Sequence, residues 1–95
     1  MNGMLELTDR LGLDYYFVSL FTENGVFVIR SLNNYCKPIN KAVELAEIEG
    51  LTFGKQNELD FVCFDYEEEH YHFLDYGNHL VPFLNNILQP ANVSS

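Results

Sequence analysis

Asp60-Phe61-Val62-Cys63-Phe64-Asp65-Tyr66-Glu67-Glu68-Glu69-His70-Tyr71-His72-Phe73-Leu74-Asp75-Tyr76 reads as two aromatic strands folded back across an acidic turn. Apolar and polar side chains alternate on both sides of the three glutamates, the period of a half-buried strand. The turn fits either Glu68-Glu69 or the longer span from Glu67 to His70. Both placements predict the same partners: Tyr66 with Tyr71, Asp65 with His72, and Phe64 with Phe73. One face then carries Val62, Phe64, Tyr66, Tyr71 and Phe73, a ladder in which each cross-strand pair contributes roughly 0.2–1 kcal/mol. The other face carries Phe61, Cys63, Leu74 and Tyr76, with Asp65, Glu67, His70 and His72 gathered toward the turn.

Downstream, Leu80, Phe83, Leu84, Ile87 and Leu88 repeat at helical spacing, with Pro82 in the first turn and Pro90 expected to stop the helix. Residues 91–95 are expected to fray. Upstream, Pro38 suits a first helical position, and Ile39, Ala42, Val43 and Ala46 form one stripe, so the pattern predicts a helix over 38–49 closed by Gly50. The segment from Gly50 to Lys55 lacks the spacing and the Ser or Thr of a phosphate-binding loop. Asn24-Gly25 between two apolar runs predicts a tight hairpin that pairs Phe21 with Val28 and Leu20 with Ile29. Val18, Leu20 and Ile29 share one of its faces and Phe17, Phe21 and Val28 the other, which predicts a hairpin interior to a sheet or covered on both sides. Met4, Leu7 and Leu11, followed by Gly12, predict a short helix over 3–11. The expected fold is α+β: one acidic domain over residues 1–95 in the order α-β-β-α-β-β-α, a four-stranded antiparallel sheet with helices packed mainly on one face.

The net charge is −9, unevenly spread. Residues 1–55 hold seven acidic and five basic side chains, whereas residues 56–95 hold seven acidic and no basic ones. Such a field repels phosphate backbones and anionic lipid and steers a basic protein partner inward. The apolar runs, Tyr15 to Val18 among them, are too short to span a bilayer, and the N-terminus lacks a basic region leading into an apolar one. A cytoplasmic protein that binds neither membrane nor nucleic acid directly is expected. Cys36 and Cys63 form no CxxC pair, and Cys63 is expected to act as a small buried hydrophobe.

These features predict a small non-enzymatic binding module or inhibitor, without cofactor or catalytic residues, that docks on the basic surface of another protein. The nucleic-acid channel of a nuclease is one such surface. Anti-CRISPR and DNA-mimic inhibitors share this size and charge. The expected contact set is Asp60, Asp65, Tyr66, Glu67, Glu68, Glu69, Tyr71, Asp75 and Tyr76, tyrosine-rich with a carboxylate rim. Two alternatives follow from the same stretch. The cadence from Asp60 to Asp65, then Tyr71 to Asp75 and a helix with Phe83-Leu84, resembles the C-terminal part of a family of bacterial immunity proteins, which implies an antitoxin. The N-terminal hairpin departs from that family's pattern. The other alternative is a small metal-binding protein or metal-dependent enzyme that uses Asp65, Glu67, His70 and His72, since two histidines and two carboxylates on one strand face are a ligand set for zinc. An uncovered aromatic face or a free strand edge also permits a homodimer.

Overall fold

The structure is a computed structural model that describes residues 1–32 and 39–93, with side chains as far as Leu88. Its strands are β1 (Asn2–Asp9), β2 (Gly12–Glu23), β3 (Val26–Ser31), β4 (Asn40–Glu44), β5 (Glu49–Gln56), β6 (Leu59–Tyr66) and β7 (Glu69–Asp75). A 3-10 turn at Leu45–Glu47 links β4 to β5, and α1 (Leu80–Val93) ends the described chain. The strands form one antiparallel sheet in the order β4-β3-β2-β1-β7-β6-β5, curled into a half-barrel. Two meanders, β1 to β4 and β5 to β7, meet where β1 pairs with β7 from Met4↔Leu74 to Thr8↔His70.

This architecture corrects the expected four-stranded α+β fold: the sheet has seven strands and the described residues contain a single α-helix. The segment expected as helix 3–11 is β1. Gly3, Leu5 and Leu7 are buried at every second position while Glu6 and Thr8 point the other way, and hydrogen-bonded neighbours on both sides outweigh the marginal stability of so short a helix. The segment expected as helix 38–49 is β4, the 3-10 turn and the start of β5, with Pro38 outside the described residues. Val43 is buried in both readings, but pairing with β3 turns Ala42 outward and Lys41 inward. Gly50 sits at φ +64 beside a register shift in β5, so it serves a β-bulge and not a helix end.

The Asn24-Gly25 hairpin forms as expected, with Leu20↔Ile29 and Phe21↔Val28 and both turn residues at positive φ. Both of its strands are interior to the sheet, as one of the two expectations had it, but only one of its faces is covered. Val18, Leu20, Phe27 and Ile29 are buried, whereas Phe17 is 46% exposed. In the central hairpin the turn is Glu67-Glu68, which shifts the pairing by two residues to Tyr66↔Glu69, Asp65↔His70, Phe64↔Tyr71 and Cys63↔His72. A shift of two keeps every side chain on its expected face.

Leu5, Val18, Leu20, Phe27, Ile29, Val43, Val62, Phe64, Tyr71 and Phe73 line the concave side, and α1 lays Leu80, Leu84 and Leu88 over them. The expected helical stripe is therefore the core-facing stripe, and the helix runs past Pro90 to Val93. Phe64 stacks on Tyr71 with ring centroids 5.0 Å apart and touches Phe73 at 6.0 Å, the offset contacts aromatic cores favour. With α1 on the concave side, the described residues leave the convex side uncovered by a helix.

Candidate functional site on the convex face

Strand alternation sends Met4, Glu6 and Thr8 of β1 to the convex side, with Leu13, Tyr15 and Phe17 of β2 beside them and His70, His72 and Leu74 of β7 on the other flank. β6 adds Phe61, Cys63 and Asp65. Two rows cross the middle of the sheet. Phe17, Met4, Leu74 and Phe61 make an apolar row, and Tyr15, Glu6, His72 and Cys63 make a mixed one. Leu13, Tyr15 and Phe17 are 49%, 64% and 46% exposed, and Tyr76, at 60%, closes a shallow groove with Glu6, Leu59, His72 and Leu74. On the β3 side Arg30 lies over the Phe21 ring, 5.4 Å from its centroid.

The nine residues expected to bind a partner do not share one surface. Tyr66 and Tyr71 are buried on the concave side, which corrects their assignment as exposed contact residues. Glu69 also points inward. Its carboxylate meets the Lys41 ammonium at 3.2 Å and accepts a hydrogen bond from the Tyr71 hydroxyl at 3.2 Å, tying β4 to β7 across the open end of the half-barrel. Burial, reinforced by Glu69, pushes the Tyr71 hydroxyl above its usual range, so it stays a neutral donor. Glu68 pairs with Arg10 in the neighbouring turn at 2.8 Å, and Asp60 lies 3.9 Å from Lys55.

Asp75 anchors α1: its carboxylate accepts hydrogen bonds from the amides of Gly77 at 2.8 Å and Val81 at 3.1 Å. Burial alone would raise this carboxyl, but the amides of Gly77, Val81 and Asn78 and the nearby His79 hold it below the ordinary carboxylate range. Asp60, Asp65, Glu67, Glu68 and Tyr76 therefore remain as the accessible part of the set.

Of the expected metal ligands, His70 and His72 project from the convex face and Asp65 joins them through a 2.8 Å contact between its Oδ1 and His70 Nδ1. Glu67 occupies the turn and stands apart from the group. The residue that sequence reasoning missed is Cys63. It is half-buried on the convex face directly across from His72, where a buried hydrophobe was expected. Burial raises its thiol above the ordinary value, with the Thr52 side chain opposing that shift and Asp65 adding to it. His72 is held below its ordinary value by burial, with Glu6 opposing and His70 adding, and its ring stacks on Phe61 at 4.9 Å. The pairing of Cys63 with His72 was a two-residue shift away: a turn at Glu67-Glu68 places them opposite each other. Leu13, Tyr15 and Phe17 were hidden by the reading of the first hairpin as covered on both faces.

No helix among the described residues is long and apolar enough to cross a membrane. No known protein-family model matches the chain, and no curated protein is detectably similar to it.

Proposed function

We propose that the protein is a non-enzymatic binding module that docks its convex sheet face on a basic, partly apolar surface of another protein. The observation that carries this reading is the contiguous run of Leu13, Tyr15 and Phe17, left exposed on an ordered strand in a chain of net charge −9. Aromatic side chains give contact area at low entropic cost, and contiguous exposed apolar surface on a soluble domain marks an interaction site. The long-range field supplies steering, and the basic lining of a nucleic-acid-binding channel is the surface class it complements. The acidic turn contributes less than its three glutamates suggest, because Glu68 and Glu69 are already paired within the molecule. An immunity protein that neutralises a toxin would use the same docking mode with a different partner.

Affinity capture from the native host, at low and high salt, compares the natural chain with a Tyr15→Ser, Phe17→Ser double variant. A partner held by the natural chain at low salt should be released at high salt and absent from the variant. Capture of the same partner by the variant, or capture that strengthens with salt, would remove the convex face from the proposal.

A further inference from the structure

We infer that Cys63, His70 and His72 form an open binding site for a zinc-class divalent cation, with Asp65 as the carboxylate that orients His70. The three side chains come from one face of two adjacent strands, Cys63 directly across from His72 and His70 two positions along. Adjacent strands lie about 4.8 Å apart and alternate residues about 6.5–7 Å apart, so the ends of three side chains leaving one face of such a triangle can reach one another. They do so here: the sulfur and one nitrogen from each histidine all lie within 4.8 Å of one another. Zinc–sulfur and zinc–nitrogen bonds of about 2.3 and 2.0–2.1 Å in a tetrahedron require ligand separations of about 3.3–3.6 Å, so side-chain rotations would draw the three atoms together by up to about 1.5 Å on binding.

Thiolate and imidazole are the ligands that select zinc over magnesium or calcium, which prefer all-oxygen cages. The outer contacts are those of a metal site as well. Asp65 Oδ1 lies 2.8 Å from His70 Nδ1, so that nitrogen donates and Nε2 keeps its lone pair for the cation, the carboxylate–histidine arrangement that fixes tautomer and ring direction. Phe61 stacks on His72 at 4.9 Å with the rings 20° apart. That ring lies over Gly54 on the neighbouring strand, where a Cβ would come within 2.7 Å of Phe61 Cζ; the missing side chain lets Phe61 lie flat and hold the imidazole. The Glu6 carboxylate, across from His72 on β1, adds negative charge beside the cluster. On binding, the Cys63 thiol gives its proton to solvent and the cation gains one thiolate and two neutral imidazoles.

The test uses the full chain carrying Cys36→Ser, reduced and stripped of metal, so that Cys63 is its one thiol. Calorimetric titration with Zn²⁺ should show one ion per chain, and Co²⁺ should produce a thiolate-to-cobalt charge-transfer absorption. Cys63→Ser should abolish that absorption and weaken Zn²⁺ binding by roughly a hundredfold or more, and Asp65→Asn should weaken it about 10–100-fold with the absorption retained. His79→Gln, away from the cluster, should change neither. Circular dichroism of each metal-free variant separates loss of a ligand from loss of the fold, and the cobalt absorption of the parent chain needs no variant. Absence of Zn²⁺ binding by the parent chain, or Co²⁺ binding without the charge-transfer signal, overturns the site.

Discussion

The two faces of one sheet are built from the same strands yet made for opposite purposes. On the concave side Phe27, Phe64, Phe73 and Tyr71 interlock beneath Leu80, Leu84 and Leu88, and among the described residues no charged side chain is buried. On the convex side Leu13, Tyr15 and Phe17 meet solvent and the half-buried Cys63, His70 and His72 come together. The described residues supply one helix for two faces, and it covers the face where aromatic pairs stack. The difference teaches that apolar content alone does not locate the core: Phe17 and Phe27 lie in paired strands, and strand parity alone sends one out and the other in.

The contrast is broken first by deleting equivalent bulk from each side. Leu84→Ala should cost about 2–5 kcal/mol by loss of packing beneath α1, whereas Phe17→Ala should cost about 1 kcal/mol or less. Urea unfolding of both variants measures the gap, and equal losses would mean that the convex face is covered by something the fold does not show.

A smaller effect tests how α1 is held on its side. Asp75→Ala removes the acceptor of the Gly77 and Val81 amides and should cost about 1 kcal/mol. Because the folded carboxyl is held below its unfolded value, its contribution is complete above the ordinary carboxylate range and fades as pH falls through the lower folded value. Asp75→Asn should therefore flatten the acid limb of a stability-versus-pH curve, and an unchanged limb would show that the cap is not electrostatic.

The smallest effect concerns the turn that belongs to neither face. Glu67 and Glu68 sit at φ +50 and +67, a conformation that Asn-Gly adopts with less strain. Replacing the pair by Asn-Gly should raise stability by about 0.5–1 kcal/mol in the same urea assay while leaving the faces as they are. A loss of stability would mean that the Arg10–Glu68 contact outweighs the backbone strain.

What the sequence made legible follows from how many periods each segment obeys. Val62, Phe64, Tyr66, Tyr71 and Phe73 fit only a period of two, and their face was assigned correctly despite the misplaced turn. Leu80, Leu84 and Leu88 fit only a helical period, and they are the buried stripe. The segments around Met4 to Leu11 and Ile39 to Gly50 satisfy both periods, and non-local pairing decides between them. β1 becomes a strand because β7 reaches it from the far end of the chain, and β4 because β3 offers a free edge. The candidate site was legible in part for a related reason. Asp65, His70 and His72 were read as one polar group at the turn, whereas the placement of Cys63 directly across from His72 depends on a two-residue shift of register.

The seam between β1 and β7 carries a consequence for how the molecule is made. During synthesis the first four strands can assemble as a meander, but one edge of β1 must wait, its amides and carbonyls unpaired, until β7 has been made. β7, made after the other six described strands, thus completes the middle of the sheet and not its rim, so the growing chain exposes the open edge of β1 until β7 has been translated.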